Sequence, residues 1–148
     1  MVITSSQEME ELGGRIAKTA TKGAVIYLQG ELGAGKTTFA KGFLREFGCK
    51  DHVKSPTFSL FELYELPNQT ICHLDLYRLK KPEEIVYTGA LDYFDEKNIC
   101  LIEWPERGED FLPKADLVCD FKFVDDPKIR IVNVIPVLAK AGNTGIQK

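Results

Sequence analysis

The amino-acid sequence predicts a three-layer α/β fold with a mainly parallel central sheet and antiparallel hairpins at its edges. A glycine-rich loop stands between an apolar strand and a helix, two later apolar strands end in acidic residues, and two pairs of strand-like segments are typical of hairpins. Strands linked through helices form parallel sheets with helices on their faces, whereas hairpins add antiparallel strands.

Length and charge narrow the possible function classes. The chain has 148 residues, 44% of them hydrophobic, which suffices for one domain with a core. We expect that domain over residues 1–138, followed by a frayed tail at residues 139–148. The net charge of −3 is spread along the chain, without the basic face that is typical of broad nucleic-acid binding.

The N-terminus and the cysteines indicate a cytoplasmic protein. The N-terminal segment lacks the basic and apolar regions of a secretory signal, and no run of about 18 apolar residues predicts a membrane span. The four cysteines lie far apart and form no C-x-x-C pair, so buried reduced thiols explain them better than a zinc site. We expect no contact with a membrane.

Periodicity predicts the first three elements. Ser5 with Glu8 fits a capping box, and apolar residues then recur at helical spacing to about residue 20. Residues 24–28 are a short apolar run, as in a strand that is covered on both faces. A second helix should begin within the segment GKTT and end at Gly48, which would serve as its C-cap.

The rest of the chain predicts one interrupted helix and further strands. Pro82 fits the first turn of the helix, and Gly89 should interrupt it. Alternating or apolar patterns predict the strands, of which the first two and the last two should pair as hairpins. These strands cover residues 58–66, 71–77, 98–104, 117–124 and 128–137.

The glycine-rich loop has the pattern of a phosphate-binding loop. Residues 30–37 satisfy G-x-x-x-x-G-K-[ST] between a predicted strand and a predicted helix. Glycines let the backbone curl so that N–H groups and the positive end of the helix dipole face phosphate oxygens. Lys36 would bring its charge to the β- and γ-phosphates, and the Thr37 hydroxyl can bind Mg²⁺. The segment therefore predicts a nucleotide site on a P-loop NTPase fold.

Two acidic residues, Asp75 and Glu103, each end an apolar strand. Such residues project from the carboxyl edge of an open α/β sheet, which is where these sheets bind ligands. A P-loop needs an acid there to hold Mg²⁺ or its waters, and the residues alone do not decide which of the two contacts the metal directly. The structural alternative for either residue is a solvated carboxylate.

Three further features allow a functional and a structural interpretation. Thr57 lies in a loop that could reach the γ-phosphate, or it is an ordinary strand residue. Trp104 could cover the nucleotide or a partner's contact, or it packs in the core. The basic residues Arg78, Lys80 and Lys81 could face a polyanion or an acidic partner, or they form a solvated surface.

The order and spacing of five segments resemble the TsaE (YjeE) family, small bacterial P-loop ATPases of tRNA threonylcarbamoyladenosine biosynthesis. The resemblance extends from about residue 9 to residue 113, and the combination of SPTF, DLYRL and IEWPE is distinctive. The five segments are GELGAGKTTFAKGF, VKSPTFSL, HLDLYRL, LDYF and CLIEWPERG.

The resemblance implies binding of ATP or ADP with Mg²⁺, weak ATP hydrolysis by the chain alone, and two protein partners. These partners are the threonylcarbamoyl transferase subunit TsaD and its paralogue TsaB, which modify adenosine 37 of tRNAs that read ANN codons. The ATPase does not transfer the group itself. Its nucleotide cycle would drive or reset the complex, and tRNA would be met only through that complex.

By position, the resemblance also assigns residues. Lys36, Asp75 and Thr57 would be catalytic, with Asp75 ordering water and Thr57 acting as a switch-like threonine. Thr37 with Glu103 would bind Mg²⁺. The phosphates would be held by Gly33, Ala34, Gly35, Lys36, Thr37 and Thr38, and residues 4–6 match a region near the adenine.

Two other functions stay open on the residues alone. A small-molecule P-loop kinase usually neutralises the transferred phosphoryl group with several arginines, whereas the five arginines of this chain are scattered. A nucleotide-dependent scaffold would differ only in whether Asp75 and Glu103 support turnover. Because no arginine is clearly placed at the phosphates, we expect slow intrinsic hydrolysis, with Arg78 or a partner's residue as the candidate arginine finger.

Overall fold

The computed structural model describes residues 1–50, 53, 56 and 60–137 and confirms the layered α/β fold. This part of the chain forms one mixed sheet, and two α-helices and several short 3₁₀ helices cover the faces of the sheet. The predicted tail, residues 139–148, lies outside the described residues. The seven strands are β1 (Val2–Ile3), β2 (Val25–Gly30), β3 (Phe61–Leu66), β4 (Gln69–Asp75), β5 (Ile99–Glu103), β6 (Leu117–Phe123) and β7 (Arg130–Pro136).

The strand order β1-β7-β6-β2-β5-β4-β3 makes the centre of the sheet parallel. Strand β2 pairs with β5 and β6 in parallel, and β5 pairs with β4 in parallel. The edges are antiparallel, because β3 pairs with β4 and β7 pairs with both β6 and β1. Both predicted hairpins are confirmed. Strand β1 was not predicted, since two residues are too short to show a period.

Two α-helices, α1 (Ser6–Thr19) and α2 (Lys36–Glu46), cover one face of the sheet. Both were predicted, although only half of the capping box forms, because the Glu8 carboxylate accepts from the N–H of Thr4 and not from that of Ser5. The Ser5 hydroxyl accepts a hydrogen bond of 3.1 Å from the backbone N–H of Glu8, which satisfies one of the free donors at the start of α1. Helix α2 ends just before Gly48, which adopts φ 98°. No helix in the described part of the chain is long and apolar enough to cross a membrane.

The opposite face is covered by 3₁₀ helices. The helix predicted from Pro82 is present but has 3₁₀ geometry, in two pieces, Pro82–Thr88 and Ala90–Tyr93, which Gly89 separates at φ 86°. Two further short pieces follow β5, Pro105–Arg107 and Glu109–Phe111. The core under these pieces includes Cys72 and Cys100, so these two thiols are buried as expected.

Close contact between α1 and α2 depends on Gly42. A methyl group at this position would overlap the carbonyl oxygen of Glu10 and lie 2.6 Å from its carbonyl carbon. We therefore expect Gly42→Ala to lower the free energy of unfolding by about 1–3 kcal/mol, the usual cost of overpacking. Urea denaturation followed by circular dichroism measures the loss.

Gly14→Ala is the matched control for this change. It lies on α1 in the same interface, but its added methyl group would meet its nearest neighbours at 3.6 and 3.7 Å, which is ordinary contact. Because alanine favours a helix over glycine by up to about 1 kcal/mol, the control should be neutral or stabilising. Equal losses in the two variants would contradict the role assigned to Gly42.

Candidate functional site

The glycine-rich loop connects β2 to α2 and has the backbone that a phosphate-binding loop requires. Gly30, Gly33 and Gly35 adopt φ values of 151°, 80° and 105°. At Gly35 a side chain would be strained by φ and would also meet the Cε atom of Met9 at 2.7 Å. Gly35 is the N-cap of α2 and has no side chain that could accept hydrogen bonds from the first turn. The N–H groups at the start of α2 are therefore suited to bind an anion.

Lys36, the first residue of α2, is only 5% exposed. Its Nζ donates a hydrogen bond to the carbonyl oxygen of Gly30 and lies 4.0 Å from the centroid of the Trp104 ring, within the range of a cation–π contact. Burial lowers the pKa of Lys36, and the charges of Glu103 and Asp75 oppose that shift. The ammonium group is thus held at the loop with two carboxylates near it.

The two predicted acids lie side by side at the carboxyl edge of the parallel strands. Asp75 ends β4 and Glu103 ends β5, and the two residues are direct partners in the register of these strands. Burial raises the pKa of Asp75, and the negative charge of Glu103 raises it further. Two carboxylates held together in this way favour a cation between or beside them.

Glu103 is bound by a histidine that the sequence did not single out as functional. The side chain of His73 is fully buried, and its Nε2 lies 2.7 Å from the Oε2 atom of Glu103. Glu103 itself is 2% exposed. The pair links β4 to β5 directly beneath the two strand-end acids. The sequence showed only a polar residue within an apolar strand.

One cavity of about 270 Å³ collects most of the predicted site. Five of the six predicted phosphate-binding residues line it together with both acids and Trp104. Its lining consists of Leu32, Gly33, Gly35, Lys36, Thr37, Thr38, Asp75, Glu103 and Trp104. The structure therefore brings the loop, the lysine, the Thr37 hydroxyl and the two carboxylates to one space.

A second cavity, of about 320 Å³, shares Gly33, Gly35 and Thr38 with the first. It contains Ala34, the remaining predicted phosphate-binding residue, and the segment 4–6 that was matched to a region near the adenine. The other lining residues are Ile3, Met9, Pro127, Lys128 and Arg130. The two cavities therefore meet at the glycine loop, one with the predicted metal-binding acids and the other with the segment matched to the adenine region.

Two arginines, one at the loop and one at Trp104, were not predicted from the sequence. Arg130, from β7, donates from Nη2 to the carbonyl oxygen of Gly33 at 3.4 Å and lies over the ring of Phe123 at 4.3 Å. Arg107 lies 5.5 Å from the centroid of the Trp104 ring. Neither could be found from sequence, because each depends on contacts between distant segments.

Three predicted features near the site have different outcomes. Thr57 lies outside the described residues, so its switch role stays a prediction. The basic residues Arg78, Lys80 and Lys81 follow β4 and are exposed. Trp104 lies over Lys36 and adopts φ 57°, a left-handed conformation that costs a non-glycine residue about 1–2 kcal/mol. A strained backbone of this kind is typical of functional sites.

The donor atoms around the first cavity fit a magnesium ion. Thr37 offers a hydroxyl oxygen, and Asp75 and Glu103 offer carboxylate oxygens, which are the hard ligands that Mg²⁺ prefers. Burial and the charge of Glu103 raise the pKa of Asp75, and a divalent cation beside the two carboxylates would offset both effects. Since Mg²⁺ usually keeps several waters and also binds substrate phosphates, one or two direct protein ligands suffice.

Comparison with known proteins assigns the chain to a family. Residues 3–131 match the family model of the threonylcarbamoyl adenosine biosynthesis protein TsaE. The chain belongs to the TsaE family. This result confirms the resemblance found in the sequence, and membership makes the chain a P-loop NTPase-type protein.

Individual TsaE proteins show the same relation. The tRNA threonylcarbamoyladenosine biosynthesis protein TsaE of Haemophilus influenzae is 47% identical over 107 residues, which cover 72% of this chain and 68% of that protein. The TsaE protein of Rickettsia bellii is 37% identical over 134 residues, which cover 90% of this chain and 92% of the relative. The crystal structure of Bacillus subtilis YdiB matches with a TM-score of 0.73 and 30% identity, covering 89% of this chain and 80% of YdiB.

Proposed function

We propose that this protein is an ATPase of tRNA threonylcarbamoyladenosine biosynthesis that binds ATP or ADP with Mg²⁺ and hydrolyses ATP slowly. The observation that supports this proposal best is the shared cavity, where Lys36, Thr37, Asp75 and Glu103 meet at the start of α2. Membership of the TsaE family supplies the pathway, since the similar proteins of Haemophilus influenzae and Rickettsia bellii are named for it.

Four side chains of the cavity have a task in binding and hydrolysis. The N–H groups of the loop and the first turn of α2 bind the phosphates, and the Lys36 ammonium group moves from the Gly30 carbonyl oxygen to the β- and γ-phosphates. Thr37 and Glu103 hold Mg²⁺, which neutralises phosphate charge when bound. Asp75 orders and polarises the attacking water through its carboxylate.

The charges in the cavity favour slow turnover over rapid phosphoryl transfer. Among the described residues that line it, Lys36 is the one cationic side chain. Arg107 contacts the rings of Trp104 and Tyr77 and does not line the cavity. Because arginines that contact the transferring phosphoryl group raise turnover by about 10³–10⁵-fold, hydrolysis by the chain alone should be weak. This arrangement suits an ATPase that a partner stimulates better than it suits a small-molecule kinase.

The partners that we propose are the transferase subunit TsaD and its paralogue TsaB. In this scheme they place the threonylcarbamoyl group on adenosine 37 of tRNAs that read ANN codons, in the cytoplasm. The present chain does not transfer the group. It uses ATP to drive or reset the complex between turnovers, and it meets tRNA through the complex.

Adding the purified transferase pair should raise the rate of ATP hydrolysis well above that of the chain alone. The reason is that the described residues lining the cavity include no arginine, which a partner could supply or position. A coupled phosphate-release assay measures the rate, and a pull-down with and without ATP measures association. The transferase pair assayed without this chain is the control. If the pair neither associates with the chain nor changes its rate, the proposed role is wrong, whereas association without turnover would favour the scaffold alternative.

A further inference from the structure

The proposed function leaves one buried polar group without a task. Among the described residues, the buried charged or polar side chains are Lys36, His73 and Glu103, and only His73 lines neither of the two cavities at the glycine loop. Its imidazole is fully buried and contacts the Glu103 carboxylate at 2.7 Å. Burying a polar group is costly unless it is hydrogen-bonded, so the contact with Glu103 is what offsets the burial of His73.

The register of the sheet places His73 behind the metal-binding acids. His73 stands two residues before Asp75 on β4 and pairs with Leu101, which stands two residues before Glu103 on β5. Side chains two residues apart in a strand point to the same face, so His73, Asp75 and Glu103 share the face that α1 and α2 cover. The Oε2 atom of Glu103 contacts His73, so the imidazole leaves the other carboxylate oxygen, Oε1, unbound.

Hydrogen-bonding needs indicate which tautomer His73 adopts. Its Nδ1 is buried and has no hydrogen-bond partner among the described residues. A proton on Nδ1 would be a buried donor without an acceptor, whereas a proton on Nε2 serves the carboxylate directly. The neutral tautomer with the proton on Nε2 satisfies both conditions, and it makes His73 a fixed donor to Glu103.

We propose that His73 is a positioning residue for magnesium binding. Its Nε2–H holds Oε2 of Glu103, so that the side chain keeps one rotamer and Oε1 stays available to a metal in the cavity that Glu103 shares with Thr37. Without this donor, Glu103 would be a buried carboxylate beside Asp75, free to rotate toward Lys36 and away from the metal position. The proposal rests on the proposed function, which assigns Glu103 to Mg²⁺. Outer hydrogen bonds of this kind commonly change metal affinity by about 10–100-fold.

Two variants separate the hydrogen bond from mere burial. In His73→Gln the amide nitrogen reaches close to the position of Nε2, whereas in His73→Asn the same amide is too short to reach Glu103. Both are neutral polar side chains, so they differ only in whether the amide nitrogen can reach the Glu103 carboxylate. Ile71→Val is the matched control, because Ile71 is fully buried on the same strand and face, one alternation further from the acids.

The measured quantity is the Mg²⁺ dependence of nucleotide binding. A non-hydrolysed ATP analogue is added to the protein in EDTA, and the titration is repeated at increasing concentrations of Mg²⁺. The fluorescence of Trp104, the one tryptophan of the chain, reports binding. We expect the Mg²⁺ affinity of His73→Gln and of Ile71→Val to stay within about threefold of the wild-type value. The Mg²⁺ affinity of His73→Asn should fall about 10-fold or more. Affinity for the analogue in EDTA should be the same in all four proteins.

The outcomes distinguish the two proposals. If Mg²⁺ does not raise the affinity of the wild type for the analogue, the proposed binding of ATP with Mg²⁺ fails. If the wild type depends on Mg²⁺ and His73→Asn has the same Mg²⁺ affinity, or loses affinity equally in EDTA, His73 is only structural and the positioning role is overturned.

A second measurement covers the case that His73→Asn does not fold. The chain has two histidines, so nitrogen NMR of the unaltered protein resolves both imidazoles. We expect one of them in the tautomer with the proton on Nε2, with a shift that changes when Mg²⁺ joins the bound analogue. His52→Gln assigns the signal. A His73 signal that Mg²⁺ leaves unchanged would overturn the proposal.

Discussion

Lys36→Ala should weaken ATP binding on the order of 10- to 100-fold. Lys36 is 5% exposed, so its charge acts on the phosphates with little screening from water. A hydrogen bond to a charged group contributes about 1.5–3 kcal/mol, and each 1.4 kcal/mol corresponds to tenfold in affinity. The substitution also removes the cation that faces Asp75 and Glu103, so repulsion between these carboxylates adds to the loss.

Calorimetric titration with ATP and Mg²⁺ measures this effect. Lys41→Ala is the matched control, because Lys41 lies on the same helix but is 39% exposed and pairs with Glu10 at 3.8 Å, away from the loop. Such exposed pairs contribute at most about 1 kcal/mol to stability. Lys41→Ala should therefore leave nucleotide affinity unchanged. Unchanged affinity in Lys36→Ala would rule out the assignment of residues 30–37 as a phosphate-binding loop.

Patterns within one segment made much of the fold predictable. The bounds of α1 and α2 followed from a capping residue, a helical period and a terminal glycine, and each of these signals lies inside the helix or next to it. The parallel centre followed from strands that are apolar on both faces. The two-residue strand β1 and the 3₁₀ geometry after Pro82 did not follow, because tertiary contacts rather than local periods determine them.

The part of the site that local sequence motifs define, the glycine-rich loop and the two strand-end acids, was predictable. The loop and the two strand-end acids come together as expected, because a strand order with β2, β5 and β4 adjacent places their carboxyl ends at one edge. The contact between His73 and Glu103 spans 30 residues, and the one between Arg130 and Gly33 spans 97. Contacts of this kind depend on register and on which strands become neighbours. A polar residue in an otherwise apolar strand was the one available signal for His73.

Asp75→Asn should lower the rate of ATP hydrolysis with the transferase pair on the order of 100-fold, the usual contribution of a group that polarises the attacking water. Asparagine keeps the acceptor for the backbone N–H of Tyr77, which lies 3.1 Å from Oδ1 of Asp75, so the local turn should persist. Nucleotide binding should change much less than in Lys36→Ala. Asp92→Asn, at an exposed aspartate of the second 3₁₀ helix, is the control.

The same substitution should stabilise the protein, and the sign follows from the pKa of Asp75. Burial and the charge of Glu103 raise that pKa in the folded state, so the ionised carboxylate destabilises the fold at neutral pH. Asp75→Asn removes this penalty, and its melting temperature without nucleotide should exceed that of the wild type. The gain should decline as the pH falls through the raised folded-state value and vanish below about 3.9, where an unfolded aspartate is also protonated. Lower activity together with higher stability is expected of a carboxylate kept for chemistry, whereas a loss of both would indicate that Asp75 is structural.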